Sequence, residues 1–293
     1  IAMSNKTDIR FLIPAGKRLW LFVLVTVLCM VLGSVLTGVI TMHGVTPGKL
    51  RVGTVIQDVM MFIVPAIAVA MMCTRTPAKF LMVEKKPDAA TLLLVAATLI
   101  AAVPAMNCVV EWNKGIVLPE SLHGMEEWMR VAEENAGRMT LLLFGNWSVA
   151  AYIVALMIAG VLAGVSEEMY FRGTLQRLIA TVPVSKHVAV WTTAVIFSAV
   201  HMQFFGFVPR LLLGAYFGYL AVWTENLWIP VTAHVLNNTL AATSIWMAHR
   251  NGVLTMDSIG TEPQHWWLTL TSVVITALLI VMTYQRNKTD REQ

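Results

Sequence analysis

Apolar stretches of about twenty residues recur along this chain, and no other feature constrains its fold as strongly. Residues 19–41 form a run of 23 without one charged side chain. A helix of that length crosses the ~30 Å hydrocarbon core of a bilayer. Comparable runs follow at 52–73, with Pro65 as an expected kink, and at 89–110, 147–177, 186–201, 208–224, 227–248 and 265–284. In lipid every backbone N–H and C=O must find its partner inside the segment, so such runs are helical. The expected fold is all-α: a polytopic membrane helix bundle with about eight transmembrane helices.

Composition agrees, since 57% of the residues are hydrophobic and 13% charged, outside the range of a soluble domain. The net charge of +4 does not point to nucleic acid, because the basic residues gather beside the apolar runs, where they orient a chain in the membrane. With the N-terminus inside, fourteen of the 21 Lys and Arg fall on inner segments. Residues 1–18 then read as a cytoplasmic arm, 19–284 as one transmembrane domain and 285–293 as a cytoplasmic tail, in an integral protein of a bacterial inner membrane. The first run reads as a permanent helix, not a cleaved leader. Cys29, Cys73 and Cys108 all lie in apolar runs, so they read as small buried side chains and not as a disulfide framework. Between 111 and 146 the polarity rises. There Leu122, Met125, Trp128, Met129, Ala132, Ala136 and Met139 recur at helical spacing opposite Glu126, Glu127, Glu133 and Glu134. That pattern suits an amphipathic helix, either lying on the membrane surface or solvated in a loop.

Against this background Glu167, Glu168 and Arg172 stand out, because all three lie inside an apolar run. Each charge costs about 2.5–3.5 kcal/mol at mid-bilayer unless it is paired or wetted. Glu168 and Arg172 are four residues apart and share a helix face, so they can pair. Glu167 points about 100° away and is left free. Two further four-residue repeats place polar groups in later runs, Phe197 with His201 and His234 with Asn238. At 1.5 Å per residue, Glu167, His201 and His234 lie roughly 15, 20 and 10 Å from the inner ends of their runs, so they can share one depth.

Taken in order, Glu167-Glu168-x-x-x-Arg172, Phe197-x-x-x-His201 and His234-x-x-x-Asn238 resemble the three signatures of the CPBP family, the type II CAAX prenyl endopeptidases and bacteriocin-processing proteins. The resemblance covers about 147–248 and implies an intramembrane endopeptidase with its catalytic core there. It assigns Glu167 as general base toward a water, His201 as a second group holding that water, and His234 with Asn238 as the oxyanion site. Glu168, Arg172 and Phe197 become structural support. The substrate implied is a membrane-bound peptide or lipidated protein.

Proteins of this family are often labelled metalloproteases, and Glu167, His201 and His234 could bind zinc with one position open. The His-Glu-x-x-His motif is absent and the Asn238 amide is a poor zinc ligand, so ligand chemistry favours a metal-free site, with zinc left open. Intramembrane ionisable groups also suit a proton-coupled transporter, although no repeated halves with matching broken helices are visible. A noncatalytic scaffold or immunity protein is a third reading. The completeness of the three motifs places the protease first.

Overall fold

The computed structural model describes residues 9–251 and 259–292. Among the described residues nine long helices make up the fold: α1 Ala15–Thr41, α2 Pro47–Cys73, α3 Ala89–Lys114, α4 His123–Phe144, α5 Val149–Ile179, α6 Lys186–Ala199, α7 Phe207–Thr224, α8 Trp228–Asn251 and α9 Trp266–Glu292. No strand occurs among the described residues. Helix starts follow local chemistry. The side chains of Thr46, Asp88, Ser148 and Ser185 each accept from a backbone N–H of the turn they precede, at the heads of α2, α3, α5 and α6, satisfying donors that the helix cannot.

Six of these helices, α1, α2, α3, α5, α7 and α9, are long and apolar enough to cross a membrane. The two remaining expected spans exist as helices but fall short of that standard, one by length and one by polarity. α6 has 14 residues, about 21 Å, and α8 carries Thr232, His234, Asn237, Asn238, Thr239, Thr243 and Ser244. These are the helices that bring in the two motif histidines. The bundle is apolar outward, with Leu24, Val31, Leu93 and Leu278 more than half exposed, as lipid solvation allows and water does not. The chain is an integral membrane protein.

Inside, α1 and α2 pack through Phe22, Phe62, Val69 and Cys73 against Phe171, Leu175 and Leu178 of α5. α3 packs through Val95 and Leu99 against Phe217 of α7 and Ile229 and Ala233 of α8. α2 and α5 are not regular throughout. A π-helical turn at Val59–Ile63 precedes Pro65, and α5 holds two more at Leu156–Leu162 and Met169–Leu175. Pro65 lacks an N–H, so the expected kink at Pro65 takes the form of a widened turn just before it. α4 leaves Met125, Trp128 and Met139 exposed, three members of the apolar face anticipated for an amphipathic helix.

The link from α6 to α7 departs from expectation. The sequence offers at 202–207 either a flexible apolar loop or an aromatic belt at the membrane interface, with Arg210 directed at headgroups. Instead the Asn113 amide donates to Phe204 O at 3.1 Å and accepts from Val208 N at 2.8 Å, while Arg210 donates to Gln203 O and Oε1 at 3.1 and 2.7 Å. Arg210 is turned inward because the loop offers it two oxygens that would otherwise face apolar surroundings.

Candidate active site

Two glycines determine how closely α5 and α8 approach. A Cβ on Gly164 would sit 2.7 Å from Val235 Cγ2 and 3.0 Å from Val235 N, and one on Gly160 3.3 Å from Thr239 Oγ1. Small residues four apart let two membrane helices touch through their backbones. That contact sets the His234 turn of α8 beside the Glu167–Glu168 turn of α5. One turn further along, Asn238 Nδ2 donates to Ala159 O at 3.0 Å, a carbonyl inside the first π-turn of α5.

Glu168 and Arg172 form the expected pair, but their role is wider than holding one helix in register. Arg172 Nη1 donates to Glu168 Oε1 at 2.6 Å with both side chains fully buried, and Nη2 donates to Gly214 O of α7 at 2.7 Å. The guanidinium lies 4.6 Å from the Phe197 ring centre and 5.6 Å from that of Phe217, cation–π contacts that strengthen when desolvated. The same Glu168 Oε1 lies 2.8 Å from His234 Nδ1. A carboxylate that already receives a guanidinium N–H is an acceptor here, so Nδ1 carries the proton and the ring is fixed in orientation. Arg172 thus ties α5 to α7, and Glu168 ties α5 to α8.

His201 is fixed in the same manner by a different acceptor. Its Nδ1 lies 2.7 Å from Phe197 O, a carbonyl that can only accept, so this nitrogen also carries the proton. Phe197, 3% exposed, meets the rings of His201 and His234 edge to face at 5.0 and 5.8 Å. Immediately after His201, Met202 holds a left-handed backbone with φ of 54°, a strained conformation for a non-glycine residue.

With both Nδ1 atoms committed, both Nε2 atoms face Glu167. Glu167 Oε2 lies 3.8 Å from His234 Nε2 and 4.0 Å from His201 Nε2, and this buried oxygen has no hydrogen-bond partner among the described residues. Glu167, Glu168, Arg172, Phe197, His201 and His234 therefore converge, and Asn238 flanks them. Sequence reasoning overlooks Asp58 on α2. Its Oδ2 is buried without a hydrogen-bond partner among the described residues, and its carboxyl feels the charge of Glu167. A lone acid inside the second apolar run was the signal available for it.

Zinc requires three protein donors about 2.0–2.2 Å from one centre. Among the described residues no group of three His, Cys, Asp or Glu side chains is arranged to hold a metal ion.

Residues 149–240 match the family described as Type II CAAX prenyl endopeptidase Rce1-like. A Bacillus subtilis (strain 168) protein described as uncharacterized protein YpbD is 32% identical over 88 residues, a match covering 29% of this chain and 42% of that relative. The chain therefore spans less than half the length of the curated relative it matches. No solved structure matches it. All three motifs and every converging side chain except Asp58 lie within residues 149–240, the stretch that matches the Rce1-like, type II CAAX prenyl endopeptidase family.

Proposed function

We propose that this protein is an intramembrane endopeptidase that hydrolyses a peptide bond in a membrane-associated or lipid-modified substrate, using a water activated by Glu167. The reading rests on Glu167 Oε2, a buried carboxylate oxygen with no hydrogen-bond partner among the described residues, faced by two histidine Nε2 atoms at 3.8 and 4.0 Å. A water there donates one hydrogen bond to Glu167 and the other to His201 Nε2, whose lone pair is free because Nδ1 is bound to Phe197 O. As the proton passes to Glu167, the water oxygen bonds the scissile carbon and the carbonyl electrons move onto oxygen. On collapse the C–N bond breaks and Glu167 returns the proton to the leaving amine.

His234 and Asn238 serve the oxyanion. His234, its ring oriented by Nδ1–H to Glu168, turns Nε2 toward the developing charge, where an Nε2–H would donate to it. Asn238 spends one amide hydrogen on Ala159 O and retains a second donor. No step requires a metal. The basic residues beside the apolar runs support cytoplasmic termini.

The test compares peptide termini in membranes containing wild-type protein or Glu167→Gln at matched expression. New termini present only with wild type are expected, and they locate the cut. Identical sets in a host shown to contain membrane-anchored and lipidated peptides would refute the protease reading.

A further inference from the structure

A second place in the bundle collects polar groups that the proposed chemistry does not use. Past the last turns of α5, a cavity of about 300 Å³ opens between the end of α5, the start of α6, the end of α7 and the 79–85 segment. Arg177 lies ten residues beyond Glu167, roughly 15 Å along the helix, so this cavity stands apart from the site described above and nothing in it depends on that reading.

Four cations line it, Lys79, Lys85, Arg177 and Lys186, against two carboxylates, Glu84 and Glu225. The acids do not use up the bases. Lys85 approaches Glu225 at 3.9 Å, and Glu225 is also the opposing charge nearest Arg177. Lys79 and Lys186, both half-buried, have no carboxylate within ion-pair distance among the described residues, and Arg177 rests its guanidinium 5.4 Å from the Phe80 ring without a hydrogen bond. Half-buried cations turned toward one concavity repel each other, and they are stable together when an anion joins them. Lys186 also opens α6, so the partial positive charge of that helix end points the same way.

The remaining lining narrows the ligand. Phe11, Phe80, Ala189 and Val222 give the cavity apolar walls. We infer that this cavity binds the headgroup of an anionic phospholipid, its phosphate diester held by the cations and its apolar part against these walls, with phosphatidylglycerol as the probe.

The test uses the purified full chain, stripped of lipid in detergent, and reads its melting temperature after addition of short-chain phosphatidylglycerol, short-chain phosphatidylcholine or inorganic phosphate. Phosphatidylglycerol is expected to raise the wild-type melting temperature by roughly 2 °C or more at saturation, with phosphatidylcholine and phosphate giving no comparable rise. The rise should vanish in Arg177→Gln/Lys186→Gln and persist in Arg75→Gln/Lys86→Gln, which removes two bases near the same segment that do not line the cavity. Lys79→Gln/Lys186→Gln keeps Arg177 on Phe80 and serves if the first variant does not fold. Equal loss in the off-cavity variant, an equal rise with phosphatidylcholine, or no rise at all would overturn the site. A rise reproduced by inorganic phosphate alone would overturn the lipid assignment in favour of a free-phosphate site.

Discussion

Replacing Arg172 by alanine tests the polar framework where most of it converges. The substitution removes the 2.6 Å donor to Glu168 Oε1 and the 2.7 Å donor to Gly214 O, and it empties the space between Phe197 and Phe217. Breaking a fully buried pair by deleting one partner costs about 3–5 kcal/mol, because the remaining charge is left uncompensated. At about 1.4 kcal/mol per factor of ten, that is roughly two to three and a half powers of ten in the folded-to-unfolded ratio. The assay is thermal unfolding of purified protein in one detergent, read with folded yield from membranes. The double variant Glu168→Gln/Arg172→Met separates charge from packing. It leaves no buried ion and fills part of the space, so it should be more stable than Arg172→Ala alone, with a coupling of 0.5 kcal/mol or more, the range seen for residues in contact. Wild-type melting for Arg172→Ala, or a double variant less stable than both single changes combined, would refute the account of a buried, mutually dependent pair.

Other perturbations follow from the same geometry. Gly164→Ala gains about 1 kcal/mol of helix propensity but sets a methyl 3.0 Å from the Val235 backbone nitrogen, which cannot swing away. Overpacking at 1–3 kcal/mol therefore wins, and α8 is pushed off; at least a tenfold loss of cleavage with a lowered melting temperature is expected, and unchanged cleavage would show that the close approach is not needed. At the head of α3, Asp88 accepts from Arg286 and from the Thr91 N–H and hydroxyl at 2.8–2.9 Å. The Arg286 hydrogen bond first, then those from Thr91, hold its carboxyl well below the usual carboxylate range. A depressed pKa gives stability that is present above the unfolded value of about 3.9 and lost as pH falls below it. Asp88→Ala should thus cost about 1 kcal/mol through the lost cap near neutrality, with little from the exposed ion pair, and the gap to wild type should close below about pH 4 in melting curves. Asp58→Asn removes an acid whose buried oxygen has no partner among the described residues, so melting should stay within about 1 kcal/mol of wild type or rise; a fall of several degrees would mean that Asp58 is satisfied after all.

How legible the site was depended on what each residue has to do. Glu168 and Arg172 could be paired from sequence because their contact is local, four residues apart on one helix. The link from Glu168 to His234 crosses 66 positions, and no spacing rule reaches that far. Its enabling signal was present as Gly160 and Gly164, but a pair of glycines becomes a statement about packing only once the partner helix is known. The shared depth of Glu167, His201 and His234 followed from helical rise alone, whereas the orientation of the two rings did not, since it depends on the Phe197 carbonyl and the Glu168 carboxylate. The widened turns of α5 escaped sequence reading for a similar reason. Apolar periodicity hardly distinguishes 3.6 from slightly more residues per turn over one turn, yet the first of these turns holds the carbonyl that receives Asn238. The count of eight spans was the part most exposed to error, because α6 has only 14 residues and α8 carries polar residues for the site.

That polarity gives the first three helices a physical purpose, although they carry no motif. α6 is too short to cross the bilayer by itself and α8 is too polar to face lipid freely, so their stability in a membrane depends on neighbours. α1 and α2 supply one wall, packing Phe22, Phe62 and Val69 behind the Glu167 helix, and α3 supplies another, packing Val95 and Leu99 behind α7 and α8. Glu168 and Arg172 are thereby kept dry enough for their mutual attraction to be strong, since the same pair in water would contribute little. Glu167 sits at the edge of this enclosure with its side chain 13% exposed, close enough to the dry core to be oriented and open enough to meet a water. The adjacent glutamates therefore divide along the helix surface. Glu168 turns into the wall and holds α8 through His234, and Glu167 turns to the two histidine Nε2 atoms.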